Sequence, residues 1–343
     1  MLGNHMFPAA LSIFMVVLVK GLGMDPLLWG ILFFVPRLVD AVTDPVMGFI
    51  SDNTRSRWGR RRPYIFIGSI VTGLSYIAMW QVYPENSELY NFTYFLLVSI
   101  VFYVGLTVFA TPYVAMGYET SNDYHERTRL MAVAQWIGQW AWVIVPWFWV
   151  IIADPDIFES QAVGVRQLSI IVGAICIALG ILPAIFCKGI DSSKMENRVK
   201  ITWSTLFSNL FDLFRGISEA MRNVPFVRLC GATFLVFNGF ILISSFQTYV
   251  IIYYVFGGDQ AMGAQYAGYA GSLGAVCTFL VIMFITWLGT KIGKRWAFFI
   301  ATGVSMVGYA LKWVCYNPDI PWLVLLPAPF MAFGLGGLFT LMG

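Results

Sequence analysis

Apolar runs dominate the chain, and polar residues break them at regular intervals. Residues 63–84, 89–118, 130–153, 167–187, 229–258, 260–290 and 320–343 contain no Asp, Glu, Lys or Arg. Each run reaches the ~20 apolar residues that a helix needs to cross a bilayer core. Residues 1–19 add a first span interrupted only by His5. Residues 26–50 add a second that carries charge, and 296–316 a ninth with Lys312 near its end. The pattern predicts ten membrane helices, near 4–22, 27–50, 63–83, 90–117, 129–153, 167–187, 225–255, 263–289, 295–315 and 321–341.

Composition agrees with an all-α polytopic membrane protein. Of 343 residues, 59% are hydrophobic and 11% charged, against about 25% charged in a soluble domain. The net charge of +3 is small, and no nucleic-acid partner is expected. Cys176, Cys187, Cys230, Cys277 and Cys315 lie in apolar stretches without a CxxC, so they read as buried hydrophobes and not a disulfide framework. With only His5 and His125, a His-rich metal site is not expected. No nucleophile–base pair or metal cluster falls in the spans, so an enzyme is not expected, nor any cofactor.

Lys and Arg set the orientation. Loops 51–62, 118–129, 188–224 and 290–295 are basic. They alternate with basic-poor loops at 84–89, 154–166 and 256–262. The basic loops are therefore expected in the cytoplasm, with the N-terminus, in a bacterial inner (plasma) membrane.

Six spans precede the polar stretch 188–224, which divides the chain into 1–187, 188–224 and 225–343. An internal echo supports two parallel halves. "RWGRRRPYIFIG" follows the second span and "KIGKRWAFFIATG" the eighth, each a Gly-basic turn opening a helix. Parallel repeats of this kind build the two six-helix halves of a major facilitator transporter, with a central substrate site between them. By the same register the second half is short by about 78 residues, or two spans of ~20 apolar residues. A fragment with ten of twelve helices is the expectation.

The second span carries Arg37, Asp40 and Asp44 within "PRLVDAVTDPVMGFISDN". At 3.6 residues per turn they fall within about 60° of one another on one helix face. Asp40 and Asp44 are the carboxylates inside a span, and an isolated one costs at least a few kcal/mol there. Arg37 can pair with one acid. The other leaves a surplus negative charge that suits Na⁺ or a proton. Pro45 frees the carbonyl of Ala41 as a further hard ligand. A structural salt bridge is the competing reading, and it leaves one acid uncompensated. Gly48 is expected to allow close helix packing.

Three further groups complete the candidate chemistry. Asp52, Arg57, Arg60, Arg61, Glu119, Asp123 and Arg127 read as a cytoplasmic gate whose ion pairs exchange as the halves rock, or as a solvated charged loop. Gln135, Gln139 and Trp142 form a polar–aromatic face suited to a sugar ring. Asn238 and Gln247 are further polar groups for a substrate cavity.

"DAVTDPVMGFISDNTRSRWGRRRPY" with "PYVAMGYETSNDYHERTRL" resembles the glycoside–pentoside–hexuronide:cation symporter family of the major facilitator superfamily. The resemblance implies a cation site at Asp40 and Asp44, with Arg37 beside it and Thr107 assisting. Melibiose permease-like members carry sugar-contacting charges where this chain has His5, Ala110 and Gln135. The cation pair is thus kept while the substrate side is altered. The expectation is a monomeric symporter that couples a sugar, glycoside or related carbohydrate to Na⁺ or H⁺ by alternating access. A carrier of lipid or another amphiphile on the same fold, and a non-transporting sensor, are the alternatives.

Overall fold

The computed structural model describes residues 3, 5–7, 9–10, 17–19, 22–120, 123–154, 156–187, 192 and 202–341. They form helices without strands among the described residues. Residues 5–7, 9–10 and 17–19 are helical. The helices that follow are α1 (Pro26–Asn53), α2 (Arg62–Met79), α3 (Glu88–Glu119), α4 (Tyr124–Ala153), α5 (Gln161–Phe186), α6 (Trp203–Ala220), α7 (Val224–Val250), α8 (Gln260–Ile292), α9 (Lys294–Cys315) and α10 (Pro327–Leu341). A π-helical turn, Ile251–Val255, continues α7, and a 3₁₀ turn, Pro321–Leu325, precedes α10.

Local chemistry sets the helix starts. The Asp25 carboxylate accepts from the Leu27 amide at 2.7 Å, with Pro26 at the first helical position. Ser87 and Ser160 cap α3 and α5 in the same way, each accepting at 3.3 Å. Asp259 accepts from Ala261 and Met262 at the start of α8. In the two echoing turns, Gly59 and Gly293 both hold positive φ, at 92° and 85°.

Among the described residues, five helices are long and apolar enough to cross a membrane: α1, α3, α5, α8 and Arg295–Cys315 of α9. Large apolar side chains such as Leu97, Val101, Leu280 and Trp313 point outward, as lipid contact requires. The protein is a multi-pass membrane protein. The surprise is α6, which lies inside the stretch expected as a polar loop. Its apolar residues Trp203, Leu206, Phe207, Leu210, Leu213, Phe214 and Ile217 recur at helical spacing between charged flanks.

The chain divides into two compact units, residues 1–138 with 158–222 and residues 139–157 with 223–343. In this division the second part of α4 packs with the later helices. Trp147 Nε1 donates to Ser272 Oγ at 2.8 Å, and Ser272 Oγ donates to the Val143 carbonyl at 3.1 Å. Gly271 seats closely on Pro146.

In the first unit α2 packs against both α3 and α5 through small residues. A Cβ at Gly68 would lie 2.5 Å from the Phe109 amide nitrogen, and one at Gly105 3.1 Å from that of Thr72. Gly73 and Gly173 face each other's helix at the α2–α5 crossing. Phe7, Tyr76 and Phe102 fill the space above with ring centroids 5.0–5.8 Å apart. In the second unit Ile251, Val255, Tyr266, Cys315, Tyr316 and Val324 form one buried cluster, and Val281, Ile285, Ala301 and Ala332 another.

Candidate functional site

The first unit brings α1 and α3 side by side with their polar residues in register. Asp40 and Asp44 lie one turn apart on α1, and Thr107 and Thr111 one turn apart on α3. Thr107 Oγ1 donates to Asp40 Oδ1 at 2.8 Å, and Thr111 Oγ1 donates to Asp44 Oδ1 at 3.0 Å. Thr43 Oγ1 lies 3.2 Å from Thr107 Oγ1 and donates to the Asp40 carbonyl at 3.2 Å. Two carboxylate–threonine rungs thus join the helices. Thr107 is buried, Asp40 half-buried and Asp44 exposed. Pro45 sits within α1 and has no N–H for the Ala41 carbonyl.

Arg37 does not behave as its spacing suggests. Among the described residues no ion pair joins it to a carboxylate. Its guanidinium carbon lies 5.1 Å from the Tyr103 ring centroid and 5.9 Å from that of Phe33. Tyr103 is one turn before Thr107, so α3 meets Arg37, Asp40 and Asp44 with Tyr103, Thr107 and Thr111 in turn. A guanidinium over an aromatic face keeps its charge and gains about 0.5–2 kcal/mol. Among the described residues, neither acid has a cationic side chain bonded to it. The resulting oxygen set, two carboxylates with hydroxyls, suits a hard monovalent cation or a proton. No cluster of three or more His, Cys, Asp or Glu that could hold a metal ion occurs among the described residues.

Gly48 offers room and not a tight contact. A Cβ there would touch only Thr111 Cγ2, at 3.9 Å. The close packing expected of it belongs to Gly68 and Gly105.

The arginine-rich turn between α1 and α2 organises a second constellation. Arg61 is 7% exposed, with Nη2 2.6 Å from Asp52 Oδ1 and Nη1 2.9 Å from Glu119 Oε2. Arg60 pairs with Glu119 as well. Arg62 Nε donates to the Ala184 carbonyl at 2.6 Å and Nη2 to that of Ile185 at 3.0 Å, serving the C-terminal end of α5. Ser192 Oγ donates towards the Thr54 and Ser56 carbonyls at 3.2 Å. Arg57 departs from the expected gate: it is exposed and joins no ion pair among the described residues. Asp123 is exposed just before α4, and the Arg127 side chain lies outside the described residues.

Burial ranks these pairs. Asp52 and Glu119 are 49% and 42% exposed, so water screens their side of each pair. Asp52→Asn is expected to cost under ~1 kcal/mol. Arg61→Ala empties a buried position serving two acids and is expected to cost about 1–3 kcal/mol. Thermal unfolding of the two variants in detergent checks the order. Equal losses would show that Arg61 contributes no more than a surface pair.

The expected substrate residues are divided between the two units. His5 packs on Gly138, where a Cβ would come 2.6 Å from its Cδ2. Ala110 packs against the apolar cluster of Ile65, Phe109 and Ala184. Gln139 is buried and Trp142 41% exposed, while the Gln135 side chain lies outside the described residues. Asn238 Nδ2 donates to the Phe234 carbonyl of its own helix at 2.9 Å. Gln247 Oε1 accepts from Lys312 Nζ at 2.8 Å, a partner that spacing along α7 does not reveal. Thr43, Tyr103 and Thr111 were also missed. The i, i+4, i+8 placement of Tyr103, Thr107 and Thr111 on one face was their only signal.

Residues 1–342 match the family model described as "MFS/sugar transport protein". The chain belongs to that family. The family is one of transporters and not of enzymes. The chain is 36% identical over 113 residues to an uncharacterized symporter of Synechocystis sp., covering 32% of this chain and 21% of that one. It is 24% identical over 220 residues to the lactose permease of Lactobacillus helveticus, covering 59% and 34%. It is 35% identical over 107 residues to the sodium-dependent lysophosphatidylcholine symporter 1 of Mus musculus, covering 30% and 20%. The chain thus spans well under two thirds of each relative's length. Among solved structures, a bacterial homolog of the lysosomal transporter Spinster superposes with TM-score 0.65 at 17% identity, over 99% of this chain and 72% of that one. A D-xylose–proton symporter superposes with TM-score 0.55 at 15% identity, over 98% and 78%. These likenesses show the major facilitator fold. Within it, the chain places its paired acids on α1, facing α3.

Proposed function

We propose that this chain is part of a cation-coupled secondary transporter that carries a sugar, glycoside or related carbohydrate with Na⁺ or H⁺ by alternating access. The double rung of Asp40–Thr107 and Asp44–Thr111 carries the reading. Two acids one turn apart in a membrane helix, with Arg37 turned to Tyr103, hold a negative charge that a monovalent cation relieves. Asp44, exposed, receives the ion first, and Asp40 with its buried threonine partner completes the shell. Neutralised, α1 no longer carries an uncompensated charge between lipid-exposed faces, which favours the substrate-binding state. Substrate and cation then strengthen each other's binding by the same factor. The Asp52–Arg61–Glu119 network serves as the gate at the arginine-rich end. The basic loops support a cytoplasmic position for that end and for the N-terminus, in a bacterial inner membrane.

A second reading, carriage of a lysolipid-like amphiphile, draws on the relatedness to lysophosphatidylcholine symporters and on apolar Ala110. Uptake by the full-length protein across a panel of sugars, glycosides and lysolipids, with and without Na⁺ and at two pH values, separates the two. Na⁺- or H⁺-dependent sugar accumulation is expected. Cation-dependent uptake restricted to lysolipids would replace the carbohydrate reading, and cation-independent uptake would remove the coupling.

A further inference from the structure

The second unit holds a cationic group that the coupling mechanism does not use. Lys312 lies three residues before the end of α9, half-buried, with its Nζ 2.8 Å from Gln247 Oε1 of α7. Tyr309 and Tyr316, one turn before and after it, place their ring centroids 5.8 and 5.7 Å from the ammonium. Behind it, Tyr316 belongs to the buried apolar cluster with Ile251, Val255, Tyr266, Cys315 and Val324. Among the described residues, no ion pair neutralises Lys312.

An ammonium in a membrane helix is costly, and the ordinary remedy is a carboxylate. Gln247 supplies something different. An amide oxygen fixes the ammonium by accepting one of its three N–H bonds and contributes no net charge. Two aromatic faces hold it electrostatically without neutralising it. The apolar floor keeps the local dielectric low, so an anion arriving here is bound more strongly than at the surface. The arrangement is a held, uncompensated positive charge with two N–H donors to spare.

We infer that Lys312, steadied by Gln247, Tyr309 and Tyr316, binds an anionic group of the transported molecule, a carboxylate or phosphate. This rests on the transport reading above and narrows it to an acidic substrate. Such a group displaces no existing ion pair, and it brings the charge that the lysine lacks.

The test uses purified full-length protein and probes matched except for charge. The pairs are methyl β-glucuronide with methyl β-glucoside, glucose 6-phosphate with glucose, and lysophosphatidate with monoacylglycerol. Binding is followed by calorimetry in Na⁺, for wild type, Lys312→Gln and Lys312→Arg. The acidic member of at least one pair is expected to bind more tightly than its neutral partner. That advantage is expected to fall at least ~10-fold in Lys312→Gln and to survive largely in Lys312→Arg. The pair that responds identifies a sugar acid, a sugar phosphate or a lipid headgroup. No acidic advantage in wild type, or an advantage unchanged by Lys312→Gln, overturns the inference. Na⁺ dependence of uptake in vesicles is measured alongside, and its loss counts against the coupling reading and not against Lys312.

Discussion

Asp44→Asn abolishes gradient-driven accumulation by the full-length protein while leaving its amount in the membrane unchanged. Asparagine has the same size, and its amide oxygen can still accept from Thr111 Oγ1, which lies 3.0 Å from the carboxylate now. The helix register is therefore kept and the charge alone is lost. A charge-assisted interaction contributes about 1.5–3 kcal/mol, which is ~10–100-fold in cation affinity. Asp40→Asn acts in the same direction. Thr107→Val should weaken the cation less, since it removes a neutral donor from Asp40 and keeps both charges, and Thr107→Ser should restore it. Counterflow, which is driven by preloaded substrate and needs no cation gradient, distinguishes lost coupling from a misfolded carrier. Wild-type accumulation by Asp44→Asn would reject the assignment of the cation to this pair.

Gly68→Ala is expected to be the most damaging small substitution in the first unit. The added Cβ would sit 2.5 Å from the Phe109 nitrogen and 2.8 Å from the Phe109 Cα and the Val108 carbonyl carbon. All three are backbone atoms of α3, so no side-chain rotation relieves the clash and α2 must shift. Overpacking of this kind costs about 1–3 kcal/mol. Phe109 lies between Thr107 and Thr111, so the shift also disturbs both rungs and cation affinity falls with stability. Gly48→Ala is the matched control. It meets only Thr111 Cγ2 at 3.9 Å, and alanine in a helix gains roughly 0.5–1 kcal/mol over glycine. Thermal unfolding of both variants, with and without Na⁺, decides the matter. A Gly68→Ala protein as stable as Gly48→Ala would mean that the α2–α3 seam has slack.

What could be read from the chain, and what could not, follows from the range of each interaction. Span positions were legible because apolar length is a property of single segments: 90–117 and Glu88–Glu119 differ by two residues at either end. Helix α6 was missed because a span search asks for ~20 continuous apolar residues, whereas its apolar positions alternate with Ser208, Asn209 and Asp212. Spacing placed Arg37, Asp40 and Asp44 on one face. It carried no information on the facing helix, where Tyr103 takes the arginine and Thr111 takes the second acid. In the sequence Gln247 reads as a polar group and Lys312 as a span-end charge. Their contact, between residues 65 positions apart, needs the packed bundle. Spacing permits close packing at Gly48, yet in the first unit the structure puts the close helix–helix approaches on α2, at Gly68 and Gly73.

Gly59 and Gly293 lie in turns that differ at most other positions, "RWGRRRPYIFIG" and "KIGKRWAFFIATG". What the two share is a handedness. At φ of 92° and 85° an L side chain crowds its own backbone, at a cost of roughly 1–2 kcal/mol. Its mirror image would not: a D-alanine fits the backbone that an L-alanine strains. In each unit the echoing turn thus contains a corner that excludes L side chains by handedness, whatever charge its neighbours carry.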